Sequence, residues 1–144
     1  MEPIREAEKA YRHLRILVVD DNAAIRQLMA TMLAEEGFEV DAAVDGADAL
    51  GKLGTNTYDV VVSDLEMPGM DGLTLLARIQ RMWNGIPVII QTARIDASLE
   101  TNLHRAGAVG VVLKGQFEEL LESLREAVAT SKPYPWVAGE PGTN

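Results

Sequence analysis

The sequence predicts an α/β protein, a doubly wound (βα)5 sandwich of three layers with a five-stranded parallel sheet in the middle. Three observations predict it. First, Arg15-Ile16-Leu17-Val18-Val19, Val60-Val61-Val62-Ser63, Val88-Ile89-Ile90-Gln91 and Val111-Val112-Leu113 are short, nearly continuous apolar runs. Runs of this kind have the composition of strands buried on both faces. Second, the segments between them carry apolar residues at helical spacing, and strands separated by helices require parallel pairing through right-handed crossovers. Third, every run stops at a polar residue: Asp20-Asp21, Asp64, Thr92 and Lys114. In an open parallel sheet the ligand site lies beyond the carboxyl ends of the strands. Three carboxylates, a hydroxyl and an ammonium are therefore expected to converge on one edge.

The elements follow in order. Strands are expected at about 15–20, 38–43, 58–63, 86–91 and 109–113. Asn22 is a suitable N-cap for a first helix whose face is Ile25, Leu28, Met29, Met32 and Leu33, stopped by Gly37. Asp45 caps a weaker helix over 46–54. Met67-Pro68-Gly69-Met70-Asp71-Gly72 is turn chemistry at the active edge, and Asp71 caps the helix of Leu75, Leu76, Ile79 and Met82, which Gly85 ends. A second weak helix covers 96–106 before Gly107, and the last presents Phe117, Leu120, Leu121, Leu124 and Val128 on one side. This divides the chain into an N-terminal extension (1–13), a domain (14–130) and a tail or linker (131–144). Ile4, Tyr11 and Leu14 could share one side of a leading helix, and Tyr134 and Trp136 could pack the tail.

At 144 residues the chain is long enough for one domain with a real core. Its net charge of −9 argues against sequence-independent binding to nucleic acid or anionic membranes. With no cysteine it has neither disulfides nor thiolate metal sites. No apolar stretch approaches the ~18 residues of a membrane span, and residues 1–14 lack a signal-peptide core. The expectation is a cytoplasmic protein.

Taken singly, the polar strand ends have plainer readings: Asp20-Asp21 as a helix cap beside a solvated neighbour, Thr92 as a β-branched strand end, Lys114 as a surface lysine. Taken together, Leu17-Val18-Val19-Asp20-Asp21-Asn22, Asp45-Gly46-Ala47-Asp48-Ala49-Leu50, Asp64-Leu65-Glu66-Met67-Pro68-Gly69-Met70-Asp71-Gly72, Thr92-Ala93 and Lys114 resemble the receiver domain of two-component response regulators. The resemblance spans about residues 14–130. It implies a flavodoxin-like sheet of order 2-1-3-4-5. It also implies Asp64 as phosphoacceptor, Thr92 and Lys114 as phosphoryl-binding groups, and a Mg²⁺ site. In that site Asp21, Asp64 and the backbone carbonyl of Glu66 are direct ligands, and Asp20 acts largely through water. The chemistry is coherent: a carboxylate can accept a phosphoryl group as an acyl phosphate. Three carboxylates within ~5 Å would repel by roughly 3 kcal/mol per pair at an effective dielectric of ~20, and a hard divalent ion relieves that. The implied partners are a histidine kinase or phosphotransfer protein and a downstream protein target, with a homodimer through the last two helices and last strand as a further option.

Three features bear on how this chain compares with the family pattern. An aromatic residue usually stands three positions before the lysine; here it is Val111, too short and stiff to swing between buried and exposed states. A cis proline usually follows the lysine; here it is Gly115, for which a trans bond is expected. Glu66 and Arg94, two residues after Asp64 and Thr92, could pair across a phosphoryl group and hinder an attacking water. Val111 and Gly115 sustain one alternative, a pseudo-receiver that binds partners without being phosphorylated. A haloacid-dehalogenase-like phosphatase fits less well, because Asp64-Leu65-Glu66-Met67 lacks the second aspartate. A flavodoxin fits least, because Asp20-Asp21 would repel its phosphate. His13 and His104 have no evident acidic partners and read as surface residues.

Overall fold

A computed structural model describes residues 13–131. Ile4, Tyr11, Tyr134 and Trp136, and the packing expected of them, lie outside the described residues. Five strands alternate with five helices: β1 (Arg15–Val19), α1 (Ala23–Glu35), β2 (Glu39–Ala43), α2 (Gly46–Thr55), β3 (Val60–Asp64), α3 (Gly72–Met82), β4 (Val88–Thr92), α4 (Ala97–Arg105), β5 (Gly110–Leu113) and α5 (Phe117–Ser131). The sheet order is β2-β1-β3-β4-β5 and every pairing is parallel.

Period-two alternation splits the strands between two cores. Ile16, Val18, Val60, Val62, Ile89 and Val112 face α1 and α5, where they meet Met29, Leu33, Leu120 and Leu124. Leu17, Val19, Val61, Val88 and Ile90 face the other layer and meet Leu53 of α2, Leu75, Leu76 and Ile79 of α3, and Leu103 of α4. The central strands β3 and β4 are buried throughout, whereas the edge strand β2, Glu39-Val40-Asp41-Ala42-Ala43, leaves Glu39 exposed and Asp41 half-buried.

Strand ends differ from expectation by one or two residues, with one informative case. Asp64 and Thr92 are the last paired residues of their strands rather than the first residues after them, opposite Gln91 and Leu113. The ladder outlasts the apolar run because Leu65 N–H still donates to Gln91 O at 2.8 Å. Asn22, Asp45 and Asp71 cap their helices as expected, accepting from the N–H groups of Ile25, Asp48 and Thr74. Asp96 does the same for α4 through Leu99 N–H. Gly72 is required at its position, because a Cβ there would collide with the backbone carbonyl of Asp64.

At the opposite end of the sheet the edge strand is fastened by charge. Tyr58 Oη donates to Asp41 Oδ2 at 2.6 Å, and Arg15 Nη2 reaches the same oxygen at 3.2 Å while its guanidinium stacks 5.1 Å from the Tyr58 ring centre. Burial and the bond to the Asp41 carboxylate push the Tyr58 phenol up to about 12. No helix among the described residues is long and apolar enough to cross a membrane.

Candidate functional site

The chain leaves β1 for β2 on one side and returns to β3 on the other, so the carboxyl ends of β1 and β3 frame the point where the winding reverses. Val19 pairs with Ser63, which makes Asp20 and Asp64 the next residues along the two strands. Carboxylate oxygens of Asp20, Asp21 and Asp64 all lie within 4.8 Å of one another. Asp21 is exposed, but Asp20 and Asp64 are only 1% and 6% exposed.

Burying two carboxylates side by side requires compensation. Asn22 N–H donates to Asp20 Oδ1 at 2.8 Å. Lys114 Nζ donates to Asp64 Oδ2 at 3.0 Å and lies 3.3 Å from Asp20 Oδ2. The second approach is an ion pair without hydrogen-bond geometry, and Asp20 Oδ2 remains buried with no hydrogen-bond partner. Burial pushes the Asp64 carboxyl above the ordinary carboxylate range and Asp20 adds to the effect. Lys114 and the Glu66 backbone N–H pull it down without prevailing. Burial also pulls Lys114 downward, but its bond to Asp64 and the fields of both carboxylates outweigh that and hold the ammonium above the usual lysine value.

Three carboxylates thus face one ammonium. The excess negative charge, the orphaned Asp20 oxygen and an all-oxygen donor set fit a hard divalent cation better than a soft one.

The other expected residues stand around this cluster in varied states. Lys114 N–H donates to Thr92 O at 2.8 Å, which ties the two strand ends together. The Thr92 hydroxyl, however, donates to Arg94 O at 3.0 Å and so is turned into its own loop. Glu66 and Arg94 are both exposed, and among the described residues no ion pair joins them. Val111 is half-buried against the α2–α4 layer. The Lys114–Gly115 bond is trans, and Gly115 turns the chain with φ of +90°. His104 departs from expectation: its Nε2 lies 3.9 Å from Glu100 of the same helix and its Nδ1 is 2.9 Å from Ala108 O. Spacing of four residues on a helix brings those two side chains together.

Comparison with known proteins places this arrangement. Residues 16–125 match the family model described as the response regulator receiver domain. Response regulator MprA of Mycobacterium sp. (strain KMS) is 35% identical over 121 residues, 83% of this chain and 53% of that protein. The two-component response regulator PhoP of Pseudomonas aeruginosa is 35% identical over 122 residues, 84% of this chain and 54% of that protein. The chain therefore spans about half the length of these relatives. Among solved structures, the Francisella response regulator 1452 receiver domain superposes with a TM-score of 0.78 at 30% identity, covering 83% of this chain and all of that one. Thermotoga maritima TrrA, solved in complex with Mg(2+)-BeF, gives 0.73 at 37% identity, covering 80% of this chain and 99% of that one. These matches leave the phosphatase and flavodoxin readings without support. The chain belongs to the response regulator receiver family, a family of signalling modules rather than of enzymes that turn over a separate substrate.

Proposed function

We propose that this domain is a phosphorylation-controlled switch in which Asp64 accepts a phosphoryl group from a histidine kinase or phosphotransfer protein. The observation that carries the reading is the placement of a buried Asp64 carboxylate against Lys114 and beside Asp20 and Asp21. A Mg²⁺ held by Asp21, Asp64 and the Glu66 carbonyl, with Asp20 behind it, would neutralise the phosphoryl oxygens as they approach the carboxylates. The TrrA complex, a relative solved with Mg(2+)-BeF, supports that choice of ion.

The remaining work belongs to the chain's own side chains. An Asp64 carboxylate oxygen attacks phosphorus; the P–N bond of the donor phosphohistidine breaks, its electron pair stays on the imidazole nitrogen, and an acyl phosphate forms. Lys114, already at Asp64, exchanges its carboxylate bond for one to a phosphoryl oxygen. The Thr92 hydroxyl, now spent on Arg94 O, has a better acceptor available and turns toward it. That exchange frees the loop after β4 and passes the change to α4, β5 and α5, the surface offered to a downstream protein or to a second copy. Val111 takes part without an aromatic swing, so the response rests on the Thr92 loop.

The test is incubation with a small acyl-phosphate donor, with and without Mg²⁺, read by intact mass. One phosphoryl adduct that needs the metal and disappears in Asp64→Asn is expected. No adduct under either condition selects the pseudo-receiver, the reading that Val111 and Gly115 keep open.

A further inference from the structure

Asp20 is gripped through both of its backbone groups. Its N–H donates to Ala43 O of β2 at 3.2 Å, and its carbonyl accepts from Arg26 Nη1, in the first turn of α1, at 2.8 Å. The Asp20 side chain is held as well, by Asn22 N–H at Oδ1 and by Lys114 beside Oδ2. Asp21 has no such holds. Its carboxylate is exposed and, among the described residues, takes no hydrogen bond or ion pair. Its direction therefore follows from the backbone that carries it. The carbonyl that Arg26 grips lies in the one rigid plane shared by Asp20 and Asp21. Turning that plane would swing the Asp21 carboxylate relative to Asp20 and Asp64.

Two cations thus stand at the cluster in different ways. Lys114 takes carboxylate oxygens of Asp64 and Asp20 for itself, whereas Arg26 bonds a carbonyl and leaves every carboxylate oxygen to an ion. As a mere positive charge Arg26 would weaken cation binding; as a clamp it would strengthen it, so the two roles differ in sign. We propose that Arg26 is a positioning residue that favours Mg²⁺ over Ca²⁺ at the cluster, acting through the Asp20 carbonyl on the direction of Asp21. The inference rests on the reading of Asp20, Asp21 and Asp64 as a divalent-cation site. Mg²⁺ requires near-octahedral oxygen ligands at ~2.0–2.1 Å, whereas Ca²⁺ accepts ~2.3–2.6 Å in flexible arrangements. A carboxylate fixed in direction suits the strict ion, and a loosened one still serves the tolerant ion.

The test is calorimetric titration of the full chain with Mg²⁺ and, separately, with Ca²⁺. The unaltered chain is compared with Arg26→Met, which keeps an apolar stem and removes both donor and charge. Mg²⁺ affinity should fall about ten-fold, the lower end of what losing a residue that orients a metal ligand costs. Ca²⁺ affinity should fall about two-fold or less, so the preference for Mg²⁺ drops about five-fold. Should Arg26→Met fail to fold, Arg26→Gln, uncharged and two bonds shorter, is read in the same way. Tighter Mg²⁺ binding in the folded variant would reduce Arg26 to a repelling charge. An equal or larger loss for Ca²⁺ would make it a prop for the loop as a whole, and unchanged affinities would leave it no part in the site. Each of these overturns the proposal while the metal site stands. An unaltered chain that binds neither ion, or that binds no better than Asp64→Asn, overturns the metal-site reading itself and the proposal with it.

Discussion

Asp64 and Lys114 hold each other in an arrangement that neither would adopt alone. Burial raises the Asp64 carboxyl, so the stability of its protonated form is present in acid and lost as pH rises through the raised value. At neutral pH without divalent cations, Asp64→Asn is therefore expected to raise the melting midpoint by a few °C, corresponding to ~1 kcal/mol, and the gain should shrink as pH enters the carboxylate range. A lower midpoint at neutral pH would mean that the lost partnership with Lys114 outweighs burial. Lys114 has the same sign of dependence in a more alkaline window: its contribution is complete below the ordinary lysine value and lost as pH climbs through the raised one. Because its ammonium occupies two of the three carboxylates, it competes with any cation there. Lys114→Met should bind Mg²⁺ roughly three- to ten-fold more tightly by calorimetric titration, while acyl-phosphate labelling slows. Equal affinity in the two proteins would remove the competition from the account.

At the scale of elements, the caps and crossovers give the sheet edge its shape, and their legibility in the sequence was uneven. The strands β1, β3 and β4 were readable because each lies in a two-faced interior that demands Val, Ile and Leu in succession, and their polar ends stood out against those runs. The cap of α4 was less visible, since a helix with only Leu99 and Leu103 as its inward apolar residues gives little periodicity to set Asp96 against. Asp96→Ala should nevertheless cost ~1 kcal/mol, seen as a lower denaturant midpoint at unchanged slope. The Glu100–His104 pair was written in its spacing and needed only the helix boundaries to be seen. Two features of the site were beyond the sequence. The Thr92 hydroxyl bonds within its own loop, a local backbone choice that residue type does not reveal. Nothing in residue type marks Arg26 among the polar positions of α1, and only the folded loop shows it reaching the Asp20 carbonyl.

For the molecule as a whole, a net charge of −9 with two buried carboxylates means that some stability is spent on self-repulsion. NaCl should raise the melting midpoint modestly by screening. MgCl₂ at the same ionic strength should raise it further through linkage, by about 2.7 kcal/mol of stability at a hundred times the dissociation constant, and Asp64→Asn should lose most of that excess. Identical curves for the two salts would leave only a diffuse ionic atmosphere.

The fastening of β2 has a reach beyond its own neighbourhood. This strand hangs on the sheet by a single seam, to β1, and the Ala43 carbonyl at its far end receives Asp20 N–H at 3.2 Å. Were the strand to slide by one step, that acceptor would leave and the acidic rim would lose a support of its backbone. The tyrosine, arginine and aspartate at the opposite pole thus serve as an anchor whose slack would be felt a full strand length away, where the metal and phosphate are expected.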